Sequence, residues 1–141
     1  MPILTQQARA ALEGGHLAHL VTLNEDGGPH VTIVWVGLDG DEIVSGHLAL
    51  RKKLRNVERD PRVTLSMETG GVDSYGLAEY LVINGVARVT KDGAPALLQR
   101  LANIYLGPDV RFPPMDDPPE GFVLHITPVH IGGIGPWTTQ P

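Results

Sequence analysis

The chain has 141 residues, of which 42% are hydrophobic, enough to build the core of one compact domain spanning residues 1–141. It contains no cysteine, which excludes disulfides, thiol catalysis and cysteine-based metal centres. No apolar run approaches the roughly 20 residues that span a bilayer, and the first residues lack the basic-then-apolar order of a secretory signal. We therefore expect a cytoplasmic protein without membrane attachment.

The positive charge is concentrated in one short window. Six basic residues against two acidic ones give residues 51–62 a net charge of +4, whereas five basic against fourteen acidic residues leave −9 for the rest of the chain. An acidic surface of this kind repels a nucleic-acid backbone or an anionic membrane, so neither is expected as a partner. The window itself predicts a local site for an anion on a small molecule.

Turn residues and alternating apolar positions predict the elements of the first half. We expect a short helix capped by Thr5, then strands over residues 17–23, 29–36 and 42–48, with turns at residues 25–28 and at Asp39-Gly40. Leu50, Leu54 and Val57 recur at helical spacing before Pro61, so the basic window is predicted to be a helix.

The second half of the chain is also predicted to consist of strands, a helix and connecting loops. The pattern predicts a strand over 63–68, a loop over 70–76, a long strand over 78–90 bent near Gly85, and a helix from Asp92 to Gly107. Five prolines make 108–121 a loop before a last strand over 121–131 and a glycine-rich tail that includes Trp137. About six strands with two or three short helices predict a mainly β, α+β fold closed into a small barrel.

The hairpin around Asp39-Gly40 yields a prediction of register. A two-residue turn there pairs residues whose numbers sum to 79, so that Thr32 lies opposite His47 and Val34 opposite Ser45. One face of the hairpin is then partly polar and the other apolar, with the polar face comprising His30, Thr32, Val34, Ser45 and His47, and the apolar face comprising Val31, Ile33, Trp35, Val44 and Leu48. Because the polar face leads into the start of the basic helix, we predict a groove with an anion-binding rim.

Other interpretations of these residues compete with a binding site. Arg51, Arg55 and Arg59 share one side of the predicted helix, with Lys53 on the other flank, and such a basic face is often merely solvated. The six histidines are not grouped with carboxylates, so no metal site is expected. The sequence also lacks a nucleophile elbow, a Walker loop and paired catalytic carboxylates, which indicates that a cofactor carries any chemistry.

Three segments resemble a known family: residues 20–32 with their acidic-glycine turn, Trp35 with Asp39-Gly40, and, most specifically, residues 51–63. They resemble the split β-barrel flavin- and deazaflavin-binding proteins similar to pyridoxamine 5′-phosphate oxidase, in particular the branch that depends on coenzyme F420. The resemblance follows the order of elements from Thr5 to Ile131.

The resemblance implies a six-stranded antiparallel split β-barrel that forms a homodimer with two cofactor sites at the subunit interface. Coenzyme F420 is the expected cofactor, and its reduced form would transfer hydride to a small unsaturated or quinone-like substrate. The resemblance assigns the cofactor phosphate or acidic tail to Arg51, Lys53 and Arg55 with support from Asn56, and the ring to His30, Val31, Thr32, Val34, Ser45, Gly46 and His47. No catalytic residue is assigned, although His30 or His47 would orient the substrate or donate a proton.

Some features depart from the family pattern. Ala49-Leu50 replaces small or polar residues just before the basic segment, and the stretch between Ala8 and Leu98 contains no glutamine, which favours deazaflavin over flavin mononucleotide (FMN). An FMN-dependent oxidase or reductase and a non-catalytic flavin- or haem-binding protein remain as alternatives. The proline-rich segment and Trp137 receive no role from the sequence.

Overall fold

The computed structural model describes residues 3–138, which form three helices around one sheet of seven strands. In chain order the elements are α1 (Gln6–Leu12), β1 (Ala18–Leu23), β2 (Pro29–Val34), β3 (Gly37–Asp39), β4 (Glu42–His47), α2 (Lys52–Arg59), β5 (Arg62–Val72), β6 (Ala78–Lys91), α3 (Ala94–Tyr105) and β7 (Phe122–Ile134). The mainly β fold with short helices is confirmed.

The strands form one antiparallel sheet in the order β2-β1-β5-β6-β7-β4-β3. The strands β2 and β3 therefore lie at opposite edges, yet only Trp35 and Val36 separate them in the chain. So short a connection forces the sheet to curl until its two edges adjoin. The predicted six-stranded closed barrel does not form. The sheet has seven strands and, within the described part of the chain, no hydrogen bonds join β2 to β3.

The predicted register of the second hairpin is wrong. The structure ends β2 at Val34 and pairs it with β1, with Thr32 opposite Leu20, while β4 pairs with β3 so that Asp39 lies opposite Glu42. The turn thus falls at Gly40-Asp41, and the expected pairs Thr32–His47 and Val34–Ser45 do not form. The sequence pattern that predicted a strand continues through Trp35 and Val36, but these two residues connect one edge of the sheet to the other.

The structure shows which face of β2 lies towards the core. Val34 is buried, whereas Val31 and Ile33 are 55% and 57% exposed on the outer surface of the sheet. Strand β1 continues this outer surface, because Val21 lies opposite Val31 and His19 lies opposite Ile33. The inner side of β2 faces the core, and an apolar strip lies on the outside.

The predicted cap of α1 is confirmed, since the hydroxyl of Thr5 accepts from the amide of Ala8 at 3.1 Å. Two strands are longer than predicted. Strand β5 runs four residues beyond its predicted end at Glu68, and β7 includes Gly133, which lies opposite Leu81. The bend expected near Gly85 is a shift of register between β6 and β7, where a Cβ at Gly85 would lie 2.6 Å from the carbonyl oxygen of Thr127.

The core lies inside the curled sheet and beneath α1 and α2. It is built from aliphatic side chains together with Met67 and Trp137, and among the largest fully buried residues are Leu12, Leu20, Ile43, Leu54, Leu65, Leu81, Ile83 and Leu124. Over residues 3–138, none of the helices has the length and apolar character needed to cross a membrane.

Candidate functional site

Helix α2 is fixed to the sheet by a buried asparagine. Asn56 is only 2% exposed, and its amide nitrogen donates to the hydroxyl of Thr22 at 3.0 Å and to the carboxamide oxygen of Asn24 at 3.1 Å. Its own oxygen accepts from the guanidinium of Arg59 at 3.1 Å. The side chain of Asn56 is thus engaged within the fold and holds α2 on β1, where it also lines a depression beside Arg55.

The N-terminus of α2 presents unpaired amides. The carbonyl of Arg51 accepts from the amides of Leu54 and Arg55 at 3.1 and 3.2 Å, but the amides of Lys52 and Lys53 have no acceptor within residues 3–138. Unpaired amides at a helix N-terminus bind anions, and the helix dipole adds to the attraction. Arg51 and Lys53 place two positive side chains at this point.

A cleft of about 200 Å³ opens where the end of β2 meets β4, α2 and α3. Its lining combines one cation, one imidazole and mostly apolar groups: Ile33, Val34, Trp35, Gly46, His47, Lys53, Leu98 and Phe112. Because Lys53 belongs to both the cleft and the start of α2, the apolar cavity and the anion site are continuous.

His47 is held as a neutral imidazole. Burial, and secondarily the charge of Lys53, lower the pKa of His47 to about 4, while its Nε2 lies 2.7 Å from the hydroxyl oxygen of the buried Ser45. Burial and the neighbouring Arg51 also lower the pKa of Lys53. A neutral imidazole offers both a donor and an acceptor nitrogen, so His47 supplies a polar contact to an otherwise apolar wall.

Trp35 lines the cleft and packs against two other aromatic rings. Its ring stacks on Tyr105 with centroids 5.3 Å apart and planes 14° apart, and Phe112 packs against it at 5.1 Å and 55°. The hydroxyl of Tyr105 accepts from the amide of Val36 at 3.0 Å and donates to the carbonyl of His16 at 2.8 Å. Because two hydrogen bonds hold Tyr105 in place, the Trp35 ring stacked on it has a fixed orientation before any ligand binds.

The structure brings together only part of the predicted site. Val34, Gly46, His47 and Lys53 line the cleft, with Ser45 directly behind His47. Arg55 lies on the opposite flank of α2, in a separate depression that it shares with Lys52, Arg59 and the acidic turn after β1. The remaining three predicted ring contacts, His30, Val31 and Thr32, are not among the lining residues.

These three side chains have different surroundings. Val31 points to the outer surface, and His30 is partly buried next to it in the strand. The hydroxyl of Thr32 is buried without a hydrogen-bond partner within residues 3–138. The cleft also contains four residues that were not predicted to belong to the site: Ile33, Trp35, Leu98 and Phe112. The length of the proline-rich loop is the sequence feature that could have pointed to Phe112.

The fold is therefore a curled antiparallel sheet with short helices and a cleft between the sheet and the start of α2. The family model described as Pyridoxamine 5′-phosphate oxidase matches residues 4–133, and the chain belongs to this family.

Solved structures support the same fold. A structure named F420 Reductase is 26% identical, covering 88% of this chain and 94% of that one with a TM-score of 0.71. A conserved hypothetical protein from Mycobacterium tuberculosis is 21% identical, covering 90% of this chain and 81% of its own, also with a TM-score of 0.71. HupZ from Group A Streptococcus is 18% identical over 92% and 94% of the two chains, with a TM-score of 0.64. No curated protein matches the chain significantly.

Proposed function

We propose that the protein is an F420-dependent oxidoreductase that reduces a small unsaturated or quinone-like compound. Members of its family are commonly oxidoreductases, and one similar structure is named F420 Reductase. The observation that carries the proposal is the continuity of the cleft with the start of α2, where Lys53 belongs to both. A ring with an anionic tail fits such a combination, and FMN has the same general shape.

The protein's residues would divide the work between them. Arg51, Lys53 and the unpaired amides of Lys52 and Lys53 bind the anionic group, and the plane of Trp35 with Val34 orients the ring. The coenzyme, when bound, supplies the hydride. His47 remains neutral at pH 7, so it offers the substrate a hydrogen bond without adding a second cation to the cleft.

A second copy of the chain completes the site in this proposal. The cleft of about 200 Å³ is smaller than the roughly 300–1,000 Å³ of sites that enclose a drug-sized ligand, so another wall is needed. Ile33 borders the cleft and belongs to the exposed apolar strip with Val31. A homodimer that covers this strip would bury the apolar side chains and place two sites at the interface. Sedimentation equilibrium tests this, with a monomer mass at micromolar concentration as the contradicting result.

The alternatives predict different binding and turnover. An FMN-dependent oxidase or reductase would purify yellow and bind FMN more tightly than F420. A non-catalytic flavin- or haem-binding protein would bind its ligand without turnover, and the apolar cleft without a carboxylate in its lining is compatible with that role. We also propose that the protein acts in the cytoplasm, on a small-molecule substrate.

Two measurements decide between these functions. Fluorescence titration with oxidised F420 and with FMN compares the two affinities, and tight FMN binding without F420 binding would overturn the proposal. Oxidation of reduced F420 is then followed with a panel of quinones, enones and tetrapyrroles. We expect at least one acceptor to raise the rate above a protein-free blank, whereas binding without any acceptor-dependent oxidation would favour the non-catalytic role.

A further inference from the structure

The proline-rich segment, residues 107–121, spans from the end of α3 to β7 and reaches the cleft through Phe112. Its first residue is attached to α3, where the amide of Gly107 donates to the carbonyl of Ala102 at 3.1 Å. Its last residues are attached near the start of α3, since the carbonyls of Glu120 and Gly121 accept from the amides of Ala94 and Asp92 at 2.9 and 2.8 Å. Both ends of the segment are thus held by the same helix region.

Gln99 fixes the middle of the segment. Its oxygen accepts from the amide of Phe112 at 2.9 Å, and its nitrogen donates to the carbonyl of Val110 at 2.7 Å and to the carboxamide of Asn103 at 3.0 Å. The side-chain amide of Gln99 thereby forms hydrogen bonds with the backbone of Val110 and of Phe112, as a neighbouring strand would. The position of Phe112 is consequently set by α3.

Helix α3 is itself seated on the strand that carries His47. A Cβ at Gly46 would lie 3.1 Å from Cγ of Leu98 and 3.3 Å from the carbonyl oxygen of Ala94, so the helix lies directly on β4. Leu98 lines the cleft next to Gln99, and Phe112 packs at 5.1 Å against Trp35. A continuous set of contacts therefore runs from the strand of His47, through α3, to the ring of Phe112.

We infer that Phe112 is a specificity-determining residue, which ends the cleft beside Trp35 and limits the length of the planar ring system it accepts. Gln99 is a positioning residue that acts through Phe112. The ligand class is a planar conjugated ring with an anionic group, and the inference rests on the proposed function in treating the cleft as the place where such a ring binds. The proline-rich segment is then a wall of the site.

The test measures ring-size selectivity in the absence of any coenzyme. The chain has two tryptophans, so Trp137→Phe leaves Trp35 as a reporter within the cleft. Quenching of Trp35 by 1,4-naphthoquinone-2-sulfonate and by 9,10-anthraquinone-2-sulfonate gives dissociation constants for two and three rings of equal charge. The chain has no cysteine with which the naphthoquinone would form a thiol adduct.

In this background, Phe112→Ala should lower the ratio of three-ring to two-ring dissociation constants at least tenfold. Gln99→Ala should lower it in the same direction by less, and the double variant should equal Phe112→Ala alone because Gln99 acts through that ring. Met115→Ala is the matched control, since Met115 is exposed on the same segment and lies outside the cleft lining. A uniform loss of stability would not change this ratio.

Three results would overturn the inference. They are an unchanged ratio in folded Phe112→Ala, an equal change in Met115→Ala, and no quenching by either probe. If near-ultraviolet circular dichroism shows that Phe112→Ala is not folded, Phe112→Leu replaces it. We expect a smaller decrease of the ratio in Phe112→Leu, and an unchanged ratio would again contradict the inference. Because no coenzyme is present, a failure to bind F420 would contradict the proposed function and leave this result standing.

Discussion

Lys53 and His47 line the same cleft, and the ammonium group of Lys53 adds to burial in lowering the pKa of His47 to about 4. The lysine is in turn affected by burial and by Arg51, which lower its own pKa. The cleft thus holds its positive charge on the side of α2 and keeps the imidazole uncharged. This separation is suited to a ligand with an anionic group at one end and a neutral ring at the other.

The first prediction concerns the dependence of stability on pH. The unfolded chain protonates His47 near pH 6.5 and the folded chain only near pH 4, so between these values the unfolded state binds more protons. The contribution of neutral His47 to stability is complete above pH 6.5 and is lost as pH falls towards 4, by about 3 kcal/mol at most.

Urea unfolding at pH 7.5 and pH 4.5 measures this contribution for the native chain and for His47→Gln. The variant should lose less stability over this interval than the native chain, because the carboxylates and the other histidines are common to both. Equal losses in the two proteins would contradict the lowered pKa of His47.

The second prediction concerns Asn56. Replacement by alanine leaves the buried hydroxyl of Thr22 without its partner and removes one of the two acceptors of the Arg59 guanidinium, which should cost about 2–3 kcal/mol. Asn84→Ala is the control, because Asn84 is exposed and its one side-chain bond, from Thr64 at 2.9 Å, lies at the surface. Chemical denaturation should show a loss below about 0.5 kcal/mol for the control. Similar losses in the two variants would contradict a structural role for Asn56.

The third prediction compares the stability cost of adding a Cβ at two glycines, one where only backbone strain opposes it and one where a close contact does so as well. Gly121 and Gly40 have nearly the same φ, 61° and 60°, but a Cβ at Gly121 would clash with the carbonyl oxygen of His47, whereas nothing lies within 4 Å of a Cβ at Gly40. Gly40→Ala should cost about 1 kcal/mol for the left-handed conformation alone. Gly121→Ala should cost at least about 2 kcal/mol more, since backbone must move. Thermal and urea unfolding compare them, and equal costs would contradict the close approach at Gly121.

The fourth prediction concerns the anion site at the start of α2. Loss of a charge-assisted hydrogen bond corresponds to about 1.5–3 kcal/mol, so Lys53→Gln should weaken F420 binding at least tenfold. Arg62→Gln removes the same charge from the basic window at an exposed residue paired with Asp60, and it should leave the affinity within about twofold. Fluorescence titration at constant ionic strength makes the comparison. An equal effect of the two substitutions would indicate general charge attraction instead of a site at Lys53.

Arg55 provides an internal comparison for the same experiment. It lies on the other flank of α2 with Lys52 and Arg59, so Arg55→Gln reports whether a long acidic tail reaches around the helix. We expect a smaller loss than for Lys53→Gln. A larger loss would move the anion site to that flank.

The sequence predicted most elements because their signals are local. Thr5 caps α1 through its own hydroxyl, and the prolines and glycines bound strands where the backbone requires them. Chain order also placed the basic helix directly after β4, which brought Lys53 and His47 into one predicted site. These features depend on neighbours in the chain, so a single sequence contains them.

The break between β2 and β3 depends on contacts that the sequence does not display. Alternation continues through Trp35 and Val36, so nothing local separates a hairpin from a crossing between sheet edges. The orientation of β2 could not be predicted for a related reason, because an apolar strip on Val31 and Ile33 has the same pattern whether the core or another surface covers it. Phe112 was missed because its place in the cleft is set by Gln99, thirteen residues away.

The crossing at Trp35 and Val36 also limits how the molecule can open. Two intervening residues allow the Cα atoms of Val34 and Gly37 to separate by at most about 11 Å, so the sheet edges are tethered covalently at the cleft. Thermal motion can part the edges elsewhere along their length, but the width at Trp35 is a property of chain length. Inserting glycines between Trp35 and Val36 would slacken this tether and let the sheet flatten, with no change to any side chain of the site.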